Sequence, residues 1–234
     1  MYKPTGLTGS GGTEKMKTIR QFTVLAVVLT GAIHGAPAEA THPCTSPLVL
    51  DLDGDGRILT TGLEHGVEFD INGDGHLDSI GWTVRASGDG FLWLDLNRNG
   101  VVDSGRELFG TSMPLPAGGF ADNGFDALAI YDQVEFGGNG DGMISPGDSI
   151  WGRLRLWVDR NHDGVSQRGE IGTLGSFGVV AVSLEYRELN QLDGHLNLHA
   201  LAGSFVRRAR VLGRMHLQEL LLEDIFFIVA NEER

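Results

Sequence analysis

Residues 90–110 read GFLWLDLNRNGVVDSGRELFG, and the way this stretch divides decides the fold. Gly90–Leu94 is short, apolar and aromatic, the composition of a strand. Asp95, Asn97 and Asn99 then place a side-chain oxygen at every second residue. Gly100 permits a sharp turn, and Asp103 follows at the ninth position counted from Asp95. SGRELFG ends the stretch as one helical turn. The order is strand, oxygen-rich turn, short helix.

The same motif begins at four other places. Asp51, Asp53 and Asp55 precede Gly56. Asp70, Asn72 and Asp74 precede Gly75, with Asp78 at position nine. Asn139 and Asp141 precede Gly142, with Asp148 at position twelve when Gly137 is counted first. Asp159, Asn161 and Asp163 precede Gly164, with Glu170 at position twelve. Carboxylates this close repel one another, so water or a bound cation must offset the repulsion.

An oxygen-only donor set selects a hard cation, and calcium takes six to eight such ligands in flexible geometry. A calcium loop uses oxygens at positions one, three and five, a glycine at six, a backbone carbonyl at seven and a bidentate acid at twelve. The fifth cluster fits best: Asp159, Asn161, Asp163, the Val165 carbonyl and Glu170, with only Ser166 at position eight off pattern. The fourth lacks an oxygen at position one, where Gly137 stands, and Glu135 is the nearby substitute. In the first three, position twelve is Gly62, Gly81 and Arg106; Glu64 and Glu107 lie just beyond. At least one of these three loops is expected to hold calcium, with sharing of ligands between loops an option; the alternative is a set of Asx-type turns. Magnesium prefers fewer protein ligands, and zinc would want His or Cys. His195 and His199 read as surface or packing residues, and His76 and His162 as loop residues facing solvent.

The chain has 234 residues, a formal charge of −13 and 35 glycines. That charge opposes binding to nucleic acid or anionic lipid. Lys15, Lys17 and Arg20 precede the apolar run Phe22–Ile33, and APAEA follows. The run falls short of the roughly 20 residues a membrane span needs. It reads as a secretory signal in residues 1–40, with Met16 an alternative start, so no stable membrane span is expected after its removal. Cleavage after Ala40 removes Lys3, Lys15, Lys17, Arg20, Glu14 and Glu39, which takes the charge from −13 to −15. The single cysteine, Cys44, permits no internal disulfide, and metal is another staple for a secreted chain.

Organisation follows the punctuation. Residues 41–47 read as a linker and 48–110 as a strand-rich acidic-loop region. Residues 122–185 read as an EF-hand-like pair, with a helix after Asp122 or Asn123, a second begun by Ser145 and Pro146, and a short one over Glu170–Ser176. GVVAVSLEY reads as a strand. Residues 186–234 are a C-terminal strand or helix segment: one amphipathic helix to Glu223 or two strands, with a strand at Ile225–Val229. The expected fold class is α+β.

Residues 47–185 resemble the acidic, EF-hand-like calcium-binding region beside the repeats of RTX-type toxins and adhesins of Gram-negative bacteria. GWTVRASGDGFLWLDLNRNGVVDSGRELFG is the most specific part. The resemblance implies calcium-dependent folding outside the cell. By position it implies ligands at Asp51, Asp53, Asp55, Asp70, Asn72, Asp74, Asp95, Asn97, Asn99, Asp159, Asn161, Asp163 and Glu170. Glycine-rich nonapeptide repeats are absent, and so is the Asp-Pro bond at which some relatives cut themselves.

The function expected is a secreted or periplasmic calcium-binding protein of structural or adhesive type, without enzymatic activity. One alternative is a calcium-stabilised hydrolase of glycans. The other is an interaction module for an extracellular protein or polysaccharide, using Arg207, Arg208, Arg210 and Arg214. G-x-S-x-G and HExxH motifs are absent.

Overall fold

The computed structural model describes residues 45–211 and 213–230. The signal-like run, Cys44 and the first part of the expected linker lie outside these residues, as does the C-terminal end from 231.

The strands are β1 (Leu48–Asp51), β2 (Val67–Phe69), β3 (Asp78–Ile80), β4 (Asp89–Leu94), β5 (Met143–Ile144), β6 (Leu154–Trp157), β7 (Ile171–Thr173), β8 (Val179–Leu192), β9 (Leu198–Val211) and β10 (Arg214–Phe226). Eight of them form one antiparallel sheet in the order β5-β8-β9-β10-β1-β4-β6-β7, and β2 pairs with β3 alone. The three strands expected in LVLDLD, GVEFDI and GFLWLDL are present. The expected α+β class is not. The chain is mostly β, with one α-helix among the described residues, α1 (Gly124–Ala129), and no EF-hand helical pair. No helix among the described residues is long and apolar enough to cross a membrane.

Each missing helix has a local cause. The first begins as expected, with Asn123 Oδ1 accepting the Asp126 N–H at 2.8 Å. It decays after six residues into 3₁₀ turns at Ile130–Asp132 and Val134–Phe136, and Gly137 leaves in a left-handed conformation (φ 85°). At Ser145 the Asp148 carboxylate accepts the Ser145 N–H at 2.7 Å, as at a helix start, but only single turns closed by the Ser145 and Asp148 carbonyls follow. Downstream, Leu154–Trp157 is drawn into the sheet opposite β4. After Glu170, Ile171–Thr173 pairs with β6, leaving a 3₁₀ turn at Leu174–Phe177.

The C-terminal segment is a long hairpin. β9 and β10 are joined at residues 212–213, with Gly213 at φ 79°. The strand does not begin at Ile225 but runs from Arg214 to Phe226. Gly203 sits where a helix would suffer, and there a β-carbon would come within 2.7 Å of the Phe125 ring. Sheet pairing therefore overrides the amphipathic pattern: β10 is clamped between β9 and β1, with Leu50 opposite Leu222.

The central strands are buried on both faces, and their alternation divides the core in two. Leu48, Leu50, Leu92, Leu94, Leu154 and Leu156 face one side, covered by Phe125 and Leu128 of α1. Val49, Phe91, Trp93 and Trp157 face the other, joined by Phe69, Trp82 and Phe227. Trp82 is the hub of the second side, with ring centroids 4.5 Å from Phe91, 5.2 Å from Phe69 and 5.6 Å from Trp157.

One acid inside this framework has no loop to serve. Asp224 is fully buried beside β1; its Oδ2 accepts the Gly124 N–H at 2.8 Å and its Oδ1 has no partner. Burial pushes its carboxyl up to about 6. The folded value lies above the unfolded one of roughly 4, so its protonated form favours folding. That contribution is full below about pH 4 and is lost as pH rises through about 6. Asp224→Asn is expected to raise stability at pH 7 by up to about 3 kcal/mol, with the gain vanishing near pH 4. Thermal melts of both proteins across this range at constant calcium check it; a gain independent of pH would contradict it.

Candidate metal centre

All five acidic loops share one hydrogen-bond pattern. A leading carboxylate accepts backbone N–H groups from residues deeper in its own loop. Asp51 takes Gly54 and Gly56 at 2.7 and 2.8 Å. Asp70 takes Gly73, Asp74 and Gly75, and Asp95 takes Arg98, Asn99 and Gly100. Asp159 takes His162, Asp163 and Gly164. The glycine at position six is left-handed in every loop, as the turn requires: Gly56, Gly75, Gly100, Gly142 and Gly164. Position four is left-handed as well. Glycine serves there in three loops, but Arg98 (φ 65°) and His162 (φ 62°) occupy it in the other two.

Positions three and five aim their oxygens by the same means. Asp53 accepts the Asp55 N–H, Asn72 that of Asp74, Asn97 that of Asn99, and Asn139 that of Asp141. Asp55, Asp74, Asn99, Asp141 and Asp163 each accept the N–H two residues on. In the first loop this brings carboxylate oxygens of Asp51, Asp53 and Asp55 within 4.8 Å of one another. Val165 donates its N–H to Asp163 with its side chain exposed. In the second loop Asp78 begins β3.

The fourth loop corrects the sequence reading. Neither Gly137 nor Glu135 supplies its leading oxygen. Asp132 does, accepting Gly140 at 3.0 Å, Asp141 at 3.3 Å and Gly142 at 3.0 Å. The 3₁₀ turn at Val134–Phe136 loops out the residues between, so Asp132 lies outside any contiguous motif. Glu135 is exposed.

Three loops have a closing acid, and all three acids are buried. Glu170 Oε1 accepts Arg160 at 3.0 Å, and its Oε2 accepts Gln167 at 3.3 Å. Asp148 accepts Asn139 and Ser145. In the third loop Glu107 takes this role, one residue beyond position twelve, accepting Leu96 at 2.9 Å and Asp103 at 3.1 Å. A 3₁₀ turn at Gly105–Glu107 rotates it inward, while Arg106 packs over Gly73 of the second loop. Burial holds the Glu107 carboxyl above its usual range, and the Asp103 and Leu96 amides oppose the rise. Asp103 also accepts from the Asn97 and Asn99 amides across the third loop, which fixes the three side chains together.

The loops are wired to the core and to each other. Trp82 donates its indole N–H to Asp159 Oδ2 at 2.9 Å, and Trp157 donates to Glu170 Oε2 at 3.5 Å. The first and last acids of the fifth loop thus rest on the aromatic cluster. Ser166 Oγ accepts the Val102 N–H at 2.8 Å. Both residues stand at position eight, so the fifth loop joins the third, not the fourth. The off-pattern serine forms this link. His162 does not face solvent: its Nε2 meets the His65 carbonyl at 2.6 Å. His199 lies between Glu223, at 2.6 Å, and Asp193. Burial alone would lower its pKa, but Glu223 and Asp193 together outweigh this and raise it.

No arginine or lysine pairs with Asp70, Asp132, Asp148, Asp159, Glu107 or Glu170 among the described residues. These acids are organised by N–H groups alone, and each carboxylate, with about four acceptor positions, keeps lone pairs beyond those bonds. The donor set is therefore all oxygen, and it suits a hard divalent cation.

Asp132→Ala is expected to destabilise the protein by about 1–3 kcal/mol, because the Gly142 N–H loses its acceptor and the Gly140 and Asp141 N–H groups each lose one of two. Glu135→Ala is expected to change stability by less than about 0.5 kcal/mol. Chemical denaturation of the two variants compares them, and equal effects would remove Asp132 from the loop.

With this geometry in view, two comparisons place the chain. The SPM domain model matches residues 48–217, which span all five loops. The iron-regulated protein FrpA of Neisseria meningitidis serogroup C, a Gram-negative bacterium, is 39% identical over 171 residues. That match covers 72% of this chain but 15% of FrpA, so the chain spans a small part of its relative's length. With the family model matched from β1 into β10, the chain belongs to the SPM domain family.

Proposed function

We propose that the chain is a calcium-binding extracellular module, structural or adhesive in role and not catalytic, whose fold is stabilised by the ions it binds. One observation carries the reading. Two loops, the fourth and the fifth, pair a buried leading acid with a buried closing acid, the third closes a half-buried Asp95 with the buried Glu107, and among the described residues no basic side chain pairs with any of these acids. The third offers Asp95, Asn97, Asn99, Asp103 and Glu107. The fourth offers Asp132, Asn139, Asp141 and Asp148. The fifth offers Asp159, Asn161, Asp163, Glu170 and the Val165 carbonyl. Calcium accepts such a set, whereas magnesium would keep more of its water.

The non-catalytic reading follows from the same accounting: the acids that would serve a hydrolase are committed to loop hydrogen bonds. A secreted or periplasmic location fits millimolar calcium, where extracellular modules bind with dissociation constants of about 10⁻⁴–10⁻³ M. For an adhesive role, Arg208, Arg210 and Arg214 are exposed on the β9–β10 hairpin beside Met215 and Leu217. Arg207 is not free for a partner, because it donates to the Leu52 carbonyl and to Gln218. These groups suit an acidic protein or polysaccharide.

Calorimetric titration of the full chain should show several bound calcium ions, and the melting temperature should rise in calcium and fall in chelator. Glu170→Gln is expected to weaken one site about tenfold or more, since ligand charge sets affinity. No heat at millimolar calcium with an unchanged melt would overturn the reading.

A further inference from the structure

The first loop lacks a closing acid of its own. Its twelfth position is Gly62, where a β-carbon would lie 3.5 Å from the His195 ring. Glu64, two residues on, is exposed on the 3₁₀ turn Leu63–His65. The three aspartates at positions one, three and five therefore have no local partner of the kind that Glu107, Asp148 and Glu170 provide.

The sheet supplies one from elsewhere. β1 and β4 pair so that Asp51 stands directly opposite Asp89. Opposed residues of an antiparallel pair project to the same face, with β-carbons about 4.5–5.5 Å apart. Asp89 is 3% exposed, and its Oδ1 is buried without a hydrogen-bond partner. The adjoining Gly88 is shaped to the loop: its N–H donates to Asp53 Oδ2 at 3.4 Å, and a β-carbon there would strike Asp53 at 2.5 Å. Asp51, facing it, is fully buried as well. The nearby cation, Arg207, is held by Leu52 and Gln218. Two buried carboxylates on one face of a strand pair need a proton or a metal ion to offset their charge.

We propose that Asp89, on the neighbouring strand, is the acid that closes the first loop, joining Asp51, Asp53 and Asp55 around one divalent cation. The inference rests on the calcium reading of the loops and adds a ligand that no loop motif contains. It makes the β1–β4 pairing part of the site, so this cation ties the first loop to the centre of the sheet.

The test compares the full chain, Asp89→Asn, Asp53→Asn and the double variant by calcium calorimetry, with thermal melts in calcium and in chelator. Asp89→Asn should lose one calcium equivalent, or weaken one site about tenfold or more. In chelator it should melt no lower than the parent, because a buried like charge is gone. The double variant should lose the same single equivalent as either variant alone. Should Asp89→Asn fail to fold, Asp89→Glu reports instead: a ligand there changes the affinity of one site at unchanged stoichiometry. Unchanged calcium binding in Asp89→Asn, or in Asp89→Glu, would overturn the inference and leave the other loops' reading intact. A parent chain that binds no calcium would overturn both.

Discussion

The structure depends on carboxylates that are buried without basic partners. Asp70, Asp132, Asp159, Glu107, Asp148 and Glu170 are each enclosed and held by backbone N–H groups, and among the described residues no arginine or lysine pairs with them. An acid in that position is costly unless its charge is met. The backbone amides meet part of it and fix the direction of the oxygens. The remainder is what an ion would supply. The glycines follow from the same constraint, because a chain that wraps its amides round a carboxylate must pass through left-handed conformations at positions four and six.

The sheet determines where these acids stand. Four of the five loops leave at or just beyond the end of a strand: β1 into Asp51, β2 into Asp70, β4 into Asp95 and β6 into Asp159. Strands buried on both faces cannot shift register without exposing one set of side chains, so the loop heads are fixed relative to one another. The aromatic cluster then joins core to site. Trp82 and Trp157 pack at tilted angles against Phe91 and Phe69, and their two N–H groups end on Asp159 and Glu170. A change in either acid is felt by the rings behind it.

Much of this was legible in the residues, and what was not has a common physical cause. The five loops, their glycine at position six and the strands that feed the first three follow from local spacing. The helices failed because local periodicity does not see tertiary pairing. Leu154–Trp157 and Ile171–Thr173 are taken into the sheet, and Asp132 is drawn into the fourth loop, each at the expense of a helix that the apolar pattern would allow. Asp132 was missed as a member of its loop, and Glu107 was seen only as an acid just beyond the motif, because a 3₁₀ turn shifts the count by several residues or by one. The only sequence signal was an acid lying close to the expected place with a glycine nearby. The joining of the third and fifth loops through Val102 and Ser166 was hidden for another reason: it is a contact between segments far apart in the chain. The polar residue that looked like a departure from the pattern is the one that makes it.

These two kinds of miss bear on how the module holds together. A paired EF-hand would place its cation sites on helices and couple them within one local unit. Here the coupling runs through a sheet in which β1 pairs with β10 and β4 with β6, so residues near both ends of the described chain support the same loops. The loops carry the polar half of the stabilisation and the two leucine and aromatic faces carry the apolar half, and neither is confined to a segment. In such an arrangement the free energy of an ion bound at any loop would be distributed to the fold as a whole, because ions that bind the folded chain and not the unfolded one shift that equilibrium directly. The long β9–β10 hairpin is the exception. Its tip, with Arg208, Arg210 and residues 213–217, is exposed beyond the point where Arg207 ties β9 to the Leu52 carbonyl of the first loop.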